Sequence, residues 1–223
     1  MPLRIIFDLN QPSAEKSNRE KLASLVSPNE DSTNDGFEIC VCGCSNQDFI
    51  ASGVRAPGTL HMDGSVGDFC LMSYGLGDAV IEGKAGDFLG HSLHSGSIVV
   101  KQNVGNCLGA MGAGGLIAVQ GNAGDRVGIA LQGADILIRG NAGSLLGMGM
   151  IDGNIVVGGS VGPEMGKGMI GGSIFVRGEP TALSPHIEEF RMREPDKLKI
   201  GLLMLKAGIK STGKEFRLFR PVS

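Results

Sequence analysis

Residues 121–147 read GNAGDRVGIALQGADILIRGNAGSLLG and contain the unit that decides the fold. The Gly-x-x-Gly-x-x-x-Gly string that opens at Gly121 returns 19 residues later at Gly140. The same step recurs in both directions, and its best-kept column holds Gly67, Gly86, Gly105, Gly124, Gly143 and Gly162. Glycines at fixed intervals mark places where a backbone turns with positive φ or passes close to a neighbour. The stretch from Gly58 to Gly178 is therefore a repeating coil.

Five apolar columns lie between the glycines and recur at the same step. The first two are two residues apart, which is the period of a β-strand. They hold Leu60, Ala79, Ile98, Ile117, Ile136, Ile155 and Ile174, and then Met62, Ile81, Val100, Val119, Ile138, Val157 and Val176. The other three begin at Val66, Cys70 and Tyr74. This pattern predicts an all-β solenoid whose coils stack about 4.8 Å apart into a rod about 30 Å long.

Composition and charge exclude several classes of function. The chain has 223 residues with 20 basic and 23 acidic side chains and no basic cluster, so no nucleic-acid partner is expected. No apolar run approaches the ~18 residues of a membrane span, and the first residues lack the pattern of a secretory signal. We therefore expect a cytoplasmic protein without a membrane span, in which the cysteines are reduced.

The sequence divides into three parts. Residues 1–36 are expected to form a short strand near Leu3–Leu9, a helix near Ser17–Val26 and a polar linker. Residues 37–180 are the predicted β-helix, with 37–57 as an imperfect first coil. Residues 181–223 are predicted to be a helical tail.

The helix of this tail is predicted over about Asp196–Ala207. Its apolar stripe, at i, i+4, i+7 and i+11, consists of Leu198, Leu202, Leu205 and Ile209. The helix could lie along the rod or cap its open end, where strand edges would otherwise be unpaired. The basic residues 214–223, KEFRLFRPVS, could dock on another subunit or on the rod.

One outward column is unexpectedly apolar. It holds His61, Val80, Val99, Ala118, Leu137, Val156 and Phe175, and we call it the outer stripe. A stripe of this length is rarely left in water on a soluble protein. Either a terminal segment or a partner is expected to cover it.

Two polar columns each follow a glycine column. Asp68, Asp87, Asn106, Asp125 and Ser144 come after the best-kept one. Short polar side chains at such places bond their own backbone in turns, and the repeat lacks the nonapeptide pattern of a calcium ladder. Asn103, Asn122 and Asn141 also align and predict a ladder of stacked amides.

Three cysteines, Cys40, Cys42 and Cys44, alternate along the first coil. Alternate residues of a straight strand are about 6.6 Å apart, whereas thiolates that bind one zinc ion at ~2.3 Å must converge. Only a bend at Gly43 would bring them together, so small buried or half-buried thiols are favoured over a metal or cluster site. Cys70 and Cys107 lie in or beside inward columns and are interpreted as structural.

The sequence shows no converging catalytic set. His61, His91, His94 and His186 pair with no evident nucleophile, and the glycine strings lack the strand, loop and helix order of a dinucleotide site. A 19-residue period does not divide by six, which argues against hexapeptide-repeat acyltransferases. The clustered acids of carbohydrate-cleaving β-helices are also missing. We predict no catalytic, cofactor-binding or metal-binding residue in this chain.

The strings at Gly83–Gly90, Gly121–Gly128 and Gly140–Gly147 resemble the GXGXG right-handed β-helix domain of the glutamate synthase large subunit. Related domains are separate subunits in split glutamate synthases and in N-methylglutamate synthase, and a more distant relative is one of the subunits of formylmethanofuran dehydrogenase. The resemblance covers about residues 37–180 and implies a right-handed parallel β-helix. In size and flanking segments the chain is most similar to the split glutamate synthase type.

The resemblance implies a non-catalytic subunit in a hetero-oligomeric, glutamate synthase-like oxidoreductase. Its partners would be a glutamine amidotransferase-like subunit and a synthase-like subunit that holds FMN and an iron-sulfur cluster, with ammonia passing between them. The outer stripe or the tail would be the docking surface. The alternatives are a one-carbon complex of the formylmethanofuran dehydrogenase type, with a metallohydrolase and a molybdenum or tungsten centre on its partners, and a self-assembling rod.

Overall fold

The computed structural model describes residues 3–9, 37–55, 57–207 and 215–222, and in it the chain winds into a parallel β-solenoid. Its elements, in chain order, are β1 (Leu3–Asp8), β2 (Phe37–Cys42), β3 (Ser45–Gln47), β4 (Gly58–Met62), β5 (Ser65–Val66), β6 (Asp78–Ile81), β7 (Ser97–Val100), β8 (Leu116–Val119), β9 (Gln132–Ile138), β10 (Asp152–Val157), β11 (Ser173–Val176), β12 (Ile187–Phe190), α1 (Glu194–Lys206) and β13 (Arg217–Pro221). The predicted all-β parallel β-helix is confirmed.

The coils stack in the register that the repeat predicts. Leu60 on β4 lies opposite Ala79 on β6, which lies opposite Ile98 on β7, so each partner is one 19-residue step away. A second line of bridges joins Val66, Ala85, Val104, Ala123, Ala142, Val161 and Pro180. The strand predicted near Leu3–Leu9 is present as β1 and pairs in parallel with β2. The predicted helix at 17–26 and the linker at 27–36 lie outside the described residues.

The five predicted inward columns form the core. Leu60, Met62, Cys70 and Tyr74 are fully buried in one coil, and their counterparts in later coils are buried as well. The Tyr74 hydroxyl donates to the carbonyl of Asp78 at 3.2 Å, which satisfies its polar atom. Because every coil buries the same positions, the core consists of apolar ladders that run the length of the rod.

Four polar side chains after the best-kept glycine column, those of Asp68, Asp87, Asn106 and Asp125, bond to the next coil. Asp68 Oδ1 accepts from the backbone N–H of Asp87 at 2.7 Å, and Asp87 Oδ1 accepts from that of Asn106 at 2.7 Å. The series continues through Asp125 to Ser144. We call this series the acid ladder. The predicted bonds to each residue's own turn are therefore replaced by bonds that join successive coils.

The acid ladder explains the best-kept glycine column. A Cβ at Gly86 would overlap the carboxylate of Asp68, and a Cβ at Gly105 would overlap that of Asp87. These glycines are needed for close approach between coils. The column at Gly90 and Gly109 has a different reason, since its φ angles of 64° and 63° lie in the left-handed region that favours glycine.

The aligned asparagines form the second ladder. Asn103 Oδ1 accepts from the backbone N–H of Asn122 at 2.8 Å, and Asn122 Oδ1 accepts from that of Asn141 at 2.8 Å. Asn141 bonds the N–H of Ser160 in the same way. The predicted ladder is confirmed, but its donors are backbone N–H groups instead of side-chain amides.

A left-handed corner follows the acid ladder in every complete coil. Its first residue has a φ between 55° and 60° in Phe69, Phe88, Cys107, Arg126, Leu145 and Glu164. A non-glycine residue in this region costs roughly 1–2 kcal/mol, so the neighbouring coils must hold it there. Where the residue is aromatic it stacks along the rod, with 4.7 Å between the ring centroids of Phe69 and Phe88.

The tail contains strands as well as a helix, and its strands close one end of the rod. β13 runs antiparallel to β11 and also pairs with β12, which leaves Leu218 and Phe219 fully buried. Arg217 forms ion pairs with Glu179 and Glu189. The prediction of a helical tail over 181–223 is thus correct for α1 and incomplete elsewhere, because residues 217–221 dock on the rod as a strand.

Replacing Gly105 by alanine should lower the free energy of unfolding by about 2 kcal/mol or more, because the added methyl group overlaps the Asp87 carboxylate and the backbone of the preceding coil. Gly201→Ala is the control. No atom lies within 4 Å of its added methyl group, and alanine favours a helix by up to ~1 kcal/mol. Urea unfolding measures both, and equal midpoints for wild type and Gly105→Ala would contradict the close-approach argument.

Asp87→Ala should cost about 1–2 kcal/mol of stability, because the backbone N–H and the side-chain amide of Asn106 lose their acceptor. Asp87→Asn retains an Oδ1 acceptor, and asparagine already occupies the same column at Asn106, so its effect should stay within about 0.5 kcal/mol. Thermal unfolding of the two variants compares them. A similar loss in both would show that charge, and not the acceptor, matters at this position.

Candidate docking surface

The C-terminal half of the outer stripe is covered by the chain itself. Leu137, Val156 and Phe175 are almost fully buried beneath α1 and β13. Leu203 and Met204 of α1 pack against them. Of the two predicted positions for the helix, the one along the rod is correct. This half of the stripe, like the β13 segment of the tail, is an internal contact of the fold and not the docking surface that the sequence suggested.

The helix packs with a face other than the predicted one. Its buried residues follow the spacing i, i+3, i+4 and i+7, and they are Ile200, Leu203, Met204 and Ala207. The predicted stripe points the opposite way, with Leu198, Leu202 and Leu205 exposed by 65%, 52% and 74%. Its fourth predicted member, Ile209, lies outside the described residues. α1 therefore has two apolar faces, and both spacings are present in the sequence.

The N-terminal half of the outer stripe is more open. Along it, Ile6 of β1 lies beside Cys40, Cys40 beside His61, and His61 beside Val80. Ile6 is 71% exposed, and the others are half-buried. Ile6, Cys40 and His61 border a groove of about 320 Å³ that Cys42, Asp63 and Glu82 also line.

The three early cysteines diverge at a bend. Cys40 and Cys42 face outward on β2, whereas Gly43, with a φ of 77°, turns Cys44 into the core. Desolvation and the nearby Asp63 carboxylate raise the pKa of the Cys42 thiol, and the same two causes raise the pKa of Cys44 to about 11. The raised pKa values favour the protonated form of Cys42 and Cys44 over the thiolate, which is the form that acts as a nucleophile or binds a metal ion. Within the described ranges, no group of three or more His, Cys, Asp or Glu side chains is arranged to hold a metal ion.

The other candidate side chains, which are two cysteines and four histidines, lie at separate places in the fold. Cys70 is fully buried and Cys107 nearly so, as expected for structural residues, and burial raises the pKa of Cys70 to about 12. His91 packs its ring edge-on against Phe88, with 6.2 Å between centroids. His94 Nε2 lies 3.0 Å from the guanidinium nitrogen Nη2 of Arg55. His61 borders the groove, and His186 is exposed in the tail.

One acidic group lies beneath the helix. Asp135 on β9 accepts from the side-chain amide of Asn154 at 2.6 Å. Burial raises the pKa of Asp135, while Asn154 and the nearby Lys199 and Lys206 of α1 act to lower it. This arrangement orients the helix on the sheet through charge as well as apolar contact.

The sequence model of the GXGXG motif family matches residues 40–198, which is well over half of the chain. The chain belongs to this family. The match spans both ladders and ends at residue 198, within the first turns of α1, so the coil architecture described above is that of a GXGXG domain. A search of curated protein sequences gave no match.

A solved structure shares the fold of this GXGXG chain. It is a chain in the X-ray crystal structure of the formyltransferase/hydrolase complex from Methylorubrum extorquens in complex with methylofuran. The TM-score is 0.70 at 24% sequence identity, over 82% of this chain and 71% of that chain. A similarity at this identity shows a common fold.

None of the helices in the described parts of the chain is long and apolar enough to cross a membrane.

Leu137→Ala should lower the free energy of unfolding by about 2–4 kcal/mol, because it leaves a cavity between the sheet and α1. Leu202→Ala, on the outward side of the same helix, should change it by no more than about 0.5 kcal/mol. Guanidinium unfolding of the isolated chain tests both. A small effect of Leu137→Ala would mean that α1 does not rest on the outer stripe.

Proposed function

We propose that this chain is a non-catalytic structural subunit of a hetero-oligomeric formyltransferase/hydrolase-type complex that handles one-carbon groups. The observation that carries the proposal is the fold shared with a chain of such a complex over most of both chains. Membership of the GXGXG family supports a subunit role but does not choose among the enzymes in which such domains occur.

The fold suits a part that holds other subunits at fixed positions. Backbone bonds join each coil to the next, and at least one of the two polar ladders adds a side-chain bond at each step from Asp68 to Ser160, which disfavours a hinge there. At its C-terminal end, the strands β12 and β13 cover the last coil. The surface left for partners includes the outward side of α1 and the groove beside Cys40 and His61.

The glutamate synthase role expected from the sequence is not confirmed by these comparisons, and the formyltransferase/hydrolase interpretation fits them better. FMN and an iron-sulfur cluster on partner subunits, an amidotransferase-like partner and ammonia transfer remain predictions of that role. Both interpretations describe a chain without an active site of its own. They differ in the enzymes that would accompany it.

Purifying the native complex through a tag on this chain separates these interpretations. We expect co-purifying subunits that mass spectrometry identifies as formyltransferase and hydrolase chains, together with formyl-transfer activity. Flavin and iron-sulfur absorbance with an amidotransferase-like chain would instead establish the glutamate synthase role. Recovery of this chain alone would overturn the proposal.

A further inference from the structure

We draw no further inference here: the strongest candidate, the outward apolar face of α1 at Leu198, Leu202 and Leu205, is an exposed surface, and nothing in the described part of the chain shows what covers it.

Discussion

The structure depends on the bond from a short polar side chain in one coil to the backbone N–H of the same position in the next. In the acid ladder, the Asp87 carboxylate occupies the space in front of Gly105 and accepts the N–H of Asn106. One contact thus fixes the distance between two coils and their register. It also requires glycine at the neighbouring position, which explains why that column is kept more strictly than any apolar column. The left-handed corner residue comes directly after the ladder residue. Its costly backbone conformation therefore lies next to a position that the ladder bond holds in place.

The outer stripe shows how the rod and its tail depend on each other. A parallel sheet with apolar residues on both faces needs a cover on each side. The core covers the inner face, and α1 with β13 covers the part of the outer face from Ala118 to Phe175. The stripe alone therefore does not reveal a partner. The apolar residues of α1 that remain exposed are better evidence for a partner than the stripe beneath the helix.

The periodic part of the fold was predictable because each column repeats one local environment. Leu60 and its successors identified the core, and the 19-residue step identified the strand pairing. The partner of each ladder side chain was not predictable in the same way, because a bond to its own turn and a bond to the next coil require the same residue type at Asp87. The left-handed corner at Leu145 was also not predictable, because the residue is not a glycine and its φ of 60° is imposed by the adjoining coils.

The structure of the tail was harder to predict than that of the coils. Both faces of α1 are apolar, so periodicity could not decide between Leu202 and Leu203 as the packed residue, and β13 pairs with a distant strand that no repeat points to.

The repeating coil gives this molecule a length that changes in discrete steps. Gain or loss of one 19-residue unit would leave every ladder intact and move the two ends of the rod by one strand spacing, about 4.8 Å. Subunits bound near opposite ends would then be separated by a distance set by the number of repeats. In such an assembly, the number of 19-residue repeats would set the distance between the active sites of the bound subunits.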